Sequence, residues 1–179
     1  MTKKWILIAV IAALFGGVAY TSSEDCASWL TGTTDEKLDT LACIQPGLGT
    51  VMIEYGNRMG NMYYAAQAGN WGMAAYQLKE AVEIQEVGET TRPSKAPLLI
   101  NFEETSLKPL AQSIVDQDWD SFQMHFDVMV NACNACHVAT GHRYIVYQLP
   151  NQPLVPAKLD TGQTFTREEL AQILSDLLE

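Results

Sequence analysis

The chain has 179 residues, 47% of them hydrophobic, and its 11 basic and 21 acidic residues leave a net charge of −10. That length and apolar content give room for one ordinary domain with a real core and exclude an intrinsically disordered chain. The acidic balance excludes nucleic acid as a partner, because it repels phosphate; it serves solubility or steers encounter with basic patches on other proteins.

Lys3 and Lys4 precede a run without charge from Trp5 to Tyr20, the layout of an export signal. A cleavage site of small residues is expected near Gly17-Val18-Ala19, although the run also approaches the length of an N-terminal membrane anchor. Export places the chain in the periplasm, either free or tethered to the inner membrane. Loss of residues 1–20 would remove Lys3 and Lys4 and take the net charge from −10 to −12. Residues 21–46 are polar, rich in turn formers and end at Pro46-Gly47. In an oxidising compartment Cys26 and Cys43 are expected to pair, stapling this lead-in with a disulfide worth about 3 kcal/mol.

Four helical stretches are predicted over residues 47–143. The first spans about Thr50 to Ala68, with Met52, Tyr55, Met59, Met62, Tyr63 and Ala66 on one stripe and Gly69 as its stop. Asn70 caps a second, from Trp71 to about Val87, ended by Gly88 and Pro93. The third runs from Lys95 to Val115, tolerating Pro97 in its first turn and kinked or broken by Pro109. Asp118 caps the fourth, from Trp119 to about Gly141. Ala68-Gly69-Asn70-Trp71 and Asp116-Gln117-Asp118-Trp119 echo one another, so the chain reads as two similar helical hairpins. These make an all-α antiparallel four-helix bundle, with no strand pattern. Beyond it, residues 144–179 hold an extended segment with Pro150, Pro153 and Pro156, then a short amphipathic helix from Arg167 to Leu178. Thr166 and Glu169 form its capping box. That helix either docks on the bundle or binds a partner.

The sharpest signal is Cys133-Asn134-Ala135-Cys136-His137 in the last turns of the fourth helix. Thiols three apart on a helix share a face, where they can form thioethers to the two vinyl groups of one haem c, while the adjacent imidazole meets the iron. A thioredoxin-like pair would open a helix in a βαβ setting, and a zinc site would need a second Cys or His pair. A bare disulfide leaves His137 unexplained. One covalent haem, with His137 as axial iron ligand, is the expectation.

With its haem motif near the end of the last helix, the stretch from about residue 48 to 143 resembles the cytochrome c′ family. That resemblance implies a sixth iron position on the first helix, where an apolar residue gives five-coordinate iron and methionine gives an electron carrier. An arginine one turn earlier is common. Arg58 and Met62 have that relation, making Met62 the leading candidate, Met59 the next, and Arg58 a candidate partner for a haem propionate. His125 and His142 share the helix or helix end of His137 and are expected at the surface or haem edge. The lead-in, the segment after residue 143 and the distance of Arg143 from His137 depart from the family pattern. They bear on its gas binding more than on its fold.

Two functions follow. One is electron transfer with a redox partner that presents a basic docking patch. The alternative is five-coordinate binding or sensing of nitric oxide or carbon monoxide. No acid, base or nucleophile converges on the motif, so no enzyme is expected.

Overall fold

The computed structural model describes residues 30–154 and 157–179, and every regular element among them is helical. The expected export segment and Cys26 lie outside the described residues. Among those described, no helix is long and apolar enough to cross a membrane. The chain divides into two compact units, Met1–Gln45 and Pro46–Glu179.

In the first unit the lead-in contains a helix that composition concealed, α1 (Thr34–Cys43). Its start was legible in Thr33-x-x-Glu36: the Glu36 carboxylate accepts from the Thr33 amide at 2.7 Å, and the Thr33 hydroxyl accepts from the Glu36 amide. No side chain of α1 is buried, and Cys43 ends it with an exposed thiol.

In the second unit α2 (Leu48–Gln67) turns back into α3 (Trp71–Thr91). Gly88, expected to stop α3, lies inside it. A Cβ there would sit 2.9 Å from Leu48 Cδ1 and 3.2 Å from Val51 Cγ1, so the glycine lets the two helices approach. The helix ends instead at Arg92, just before Pro93. The third predicted helix is three pieces: α4 (Ala96–Phe102), a π-helical turn over Glu103–Leu107, and α5 (Lys108–Asp116). Pro109 has no N–H to give, and its ring crowds the carbonyl four residues back. Widening the preceding turn accommodates both defects without breaking the rod. The last long helix is α6 (Trp119–Ala139).

The echo between the hairpins is a shared turn. Gly69 and Asn70 donate to Ala66 and Ala65, both at 2.9 Å; Gln117 and Asp118 donate to Ile114 and Ser113 at 3.0 and 3.1 Å. Each pair is a Schellman closure with its hinge residue in the left-handed region, Gly69 at φ 75° and Gln117 at φ 54°. The next residue caps the following helix, Asn70 for α3 and Asp118 for α6. The tryptophan after each cap packs on Phe122, with ring centroids at 6.1 Å for Trp71 and 5.7 Å for Trp119. Tyr63 of α2 joins this cluster, 4.8 Å from the Phe126 ring. Phe122 and Phe126 are fully buried, each contributing on the order of 2–3 kcal/mol by leaving water.

The remainder of the chain wraps this core. Residues 144–154 form an extended strap along α2 and α6: Gly60 lies so close beneath Pro150 that a Cβ would meet its ring at 2.9 Å, and the Tyr64 hydroxyl donates to the Pro150 carbonyl at 2.5 Å. At the turn end, Asn70 donates to Leu159 and Gln117 to Phe165. The chain then enters α7 (Arg167–Ile173), capped by Thr166 and Glu169 as expected, and α8 (Ser175–Leu178), with a break at Leu174 in what the sequence suggests is one helix. Leu170, Leu174 and Leu177 are buried against α3 and α5, so this segment docks.

Candidate functional site

The core face of α6 carries Phe122, Phe126 and Met129, all buried, and continues at helical spacing into Cys133, Cys136 and His137. The helix that inserts phenylalanine rings at one end therefore presents two thiols and an imidazole at the other. Gly141, at φ 83°, closes the helix through another Schellman turn, with His142 donating to the His137 carbonyl at 2.7 Å. That closure folds residues 142–146 back onto the helix end.

Neither Cys133 nor Cys136 forms a disulfide. Burial, with the Cys136 thiol nearby, pushes the Cys133 thiol up to about 12. A thiol so reluctant to ionise at the closing end of a helix is unsuited to thioredoxin-like exchange, which needs a stabilised thiolate. Among the described residues no three His, Cys, Asp or Glu side chains converge to hold an ion by themselves.

His137 is half-buried, and its Nδ1 lies 3.0 Å from the Ile145 carbonyl. A carbonyl only accepts, so Nδ1 is the donor in this pair, which in a neutral imidazole leaves the lone pair on Nε2, the tautomer that binds a metal through Nε2. The strap is held against the motif by Asn134, between the cysteines. Its Nδ2 donates to the Tyr147 carbonyl at 3.1 Å, and its Oδ1 accepts from the Tyr147 amide at 2.7 Å. Tyr147 then reaches α2, its hydroxyl donating to the Gly56 carbonyl at 3.3 Å. Sequence reading gave Asn134 no role, since an asparagine inside a helix carries no signal of a long-range clasp.

Opposite Cys133 stands Tyr55 of α2. Its hydroxyl is buried without a hydrogen-bond partner, and desolvation, with Cys133, Glu103 and Tyr147 nearby, raises its pKa well above the usual phenolic value. The Cys133 thiol is half-buried and donates to Met129 Sδ at 3.6 Å, so the Tyr55 hydroxyl beside it is left with an unmet hydrogen bond. Haem c would be held covalently by Cys133 and Cys136, with His137 Nε2 as a ligand to its iron, and would supply a one-electron iron couple.

The antiparallel register of α2 against α6 places the other candidates. Tyr63 lies on Phe126 and Tyr55 beside Cys133, so the level of His137, one turn beyond Cys133, corresponds to Val51 and Met52, one turn before Tyr55. Met59 and Met62 are fully buried in the core, level with Met129 and Phe126, and are not brought together with His137. Met52, half-buried on the same stripe, lies at that level. Arg58 is committed elsewhere, to Glu54 at 2.8 Å and Glu80 at 3.7 Å, with its guanidinium 5.9 Å from the Tyr76 ring. His125 bonds Ser113 at 2.7 Å far up α6, and His142 lies exposed at the helix end. Cys26, the expected partner of Cys43, lies outside the described residues. Comparison of the chain with family models, curated proteins and solved structures finds no match.

Proposed function

We propose that the chain is an exported, periplasmic monohaem c-type cytochrome that carries electrons, an antiparallel four-helix bundle with one haem c held at the C-terminal end of its last long helix. The observation that carries this reading is the His137 imidazole, held through Nδ1 by the Ile145 carbonyl on the same helical turn as two unpaired cysteines. Haem c supplies a one-electron iron couple. Around it, Cys133 and Cys136 anchor, His137 ligates, the Ile145 carbonyl orients the imidazole and raises its basicity, and Tyr55 offers a buried donor. Met52, level with His137, is the methionine we assign to the sixth position, which would raise the potential. No catalytic step is assigned to the chain.

A second reading, five-coordinate binding of a small gas, is favoured by the sealing of Met59 and Met62 in the core away from His137. Haem-loaded protein decides between them. An alkaline pyridine spectrum of c-type, surviving acid acetone, is expected, and haem stripped by acid acetone would defeat both readings. A low-spin ferric spectrum with a sulfur-to-iron charge-transfer band supports electron carriage, whereas prompt carbon monoxide binding by high-spin ferrous protein supports the gas reading.

A further inference from the structure

Gly56 and Gly60 stand one turn apart inside α2, where glycine weakens a helix relative to alanine. What selects them is the strap. A Cβ at Gly60 would lie 2.9 Å from Pro150 Cγ and 3.1 Å from its Cδ, and one at Gly56 would lie 3.4 Å from Tyr147 Cε2. Hydrogen bonds fasten the strap in the notch that the two glycines leave. The Tyr64 hydroxyl donates to the Pro150 carbonyl at 2.5 Å and the Tyr147 hydroxyl to the Gly56 carbonyl at 3.3 Å. The Leu154 amide donates at 2.8 Å to Oδ1 of Asn61, a side chain only 3% exposed. At its near end the same strap carries the Ile145 carbonyl, 3.0 Å from His137 Nδ1. It meets the ring at the Nδ1 edge, opposite the Nε2 that would face the iron. Asn134 holds this carbonyl in place from α6, and the notch holds it from α2.

Resting on the electron-carrier reading, we infer that Gly60 and Tyr147 are positioning residues for the iron: by seating the strap on α2 they fix the Ile145 carbonyl against His137 and so set the potential. Donation from Nδ1 to a carbonyl leaves the imidazole richer in electrons, and a more basic ligand favours ferric iron and lowers the potential. A strap lifted from its seat weakens that bond and raises the potential. Gly60 lies about 12 Å along α2 from the level of His137, so its influence on the iron runs through the strap.

Redox titration of the full haem-loaded chain tests this. Gly60→Ala drives a Cβ against Pro150 and should raise the midpoint by about tenfold in the redox equilibrium, about 59 mV for one electron, with the sulfur-to-iron band retained. Tyr147→Phe keeps the ring and loses the hydroxyl, and should raise it by about threefold; it carries the test if Gly60→Ala does not fold. A second readout needs no iron. In haem-free protein the nitrogen chemical shifts of His137 should move in both variants from the Nδ1–H towards the Nε2–H tautomer. Phe165→Leu trims the ring seated on Gly72 at the hairpin-turn end, and should lower stability in urea while leaving potential and tautomer at the parent values. Parent values in both strap variants, an equal shift in Phe165→Leu, or a potential that rises without a change of tautomer overturns the inference, while covalent haem leaves the electron-carrier reading intact. Haem stripped by acid acetone defeats that reading and the inference with it.

Discussion

Replacing Asn134 by alanine tests whether the strap is clasped to the motif by one side chain. The amide both donates to and accepts from Tyr147, at 3.1 and 2.7 Å. Two hydrogen bonds at a net 0.5–1.5 kcal/mol each amount to about 1–3 kcal/mol, and the better helix propensity of alanine returns about 0.5 kcal/mol. The expected loss in urea unfolding is therefore about 1–2 kcal/mol. It should be accompanied by faster amide exchange over residues 144–150, because Tyr147 and the strap near it lose their tie to α6. Asn134→Asp keeps the acceptor and loses the donor, so it should fall between the two, with Tyr147 N–H still protected. The Ile145 carbonyl lies two residues from the clasp, and the His137 imidazole should become more mobile in Asn134→Ala, read as broadening of its NMR signals. An alanine variant as stable as the parent, with unchanged exchange in the strap, would refute the clasp.

Glu103, held up to about 7 by burial and by Glu89 and Glu86, makes stability fall with rising pH. The folded state binds its proton more tightly than the unfolded chain, so the contribution is complete below the ordinary carboxyl value of 4.5 and lost as pH climbs through about 7. Glu103→Gln should flatten that slope in unfolding measured from pH 4 to 8; a slope unchanged in the variant would remove Glu103 as its source. Gly88→Ala sets a Cβ 2.9 Å from Leu48 Cδ1 and should cost about 1–3 kcal/mol of overpacking despite the gain in helix propensity, whereas stabilisation would show that α2 yields freely. In haem-loaded protein Met52→Ala should lose the sulfur-to-iron band and Met62→Ala should retain it; the reverse result would refute the α2 to α6 register.

Local signals in the sequence account for what depends on neighbours along the chain. Asn70, Asp118 and Thr166 cap their helices as expected because a cap is satisfied within three residues, and α1 was missed although Thr33 and Glu36 carried the same signal. The glycines at 69 and 141 end helices because their role is a backbone angle. Gly88 has the same composition and the opposite meaning, since what selects glycine there is the approach of Leu48 and Val51, which no local pattern records. Likewise Pro109 announces a defect, but whether the helix breaks or widens depends on the packing on either side of it, here resolved as a π turn.

The candidate site divides along the same line. Cys133, Cys136 and His137 are legible because three functions on one helical turn need only helical geometry. Partners from other segments are not: the Ile145 carbonyl, the Asn134 clasp and the orphaned Tyr55 hydroxyl depend on where the strap and α2 come to lie. Met62 and Arg58 came from the family resemblance and their spacing on one helix, whereas the register of two helices, set by Tyr63 seated on Phe126, puts Met52 level with His137. The sequence by itself determined the helices and the reactive turn, whose physics is local. Tertiary packing decided what faces that turn, because side chains distant along the chain meet only when the core closes.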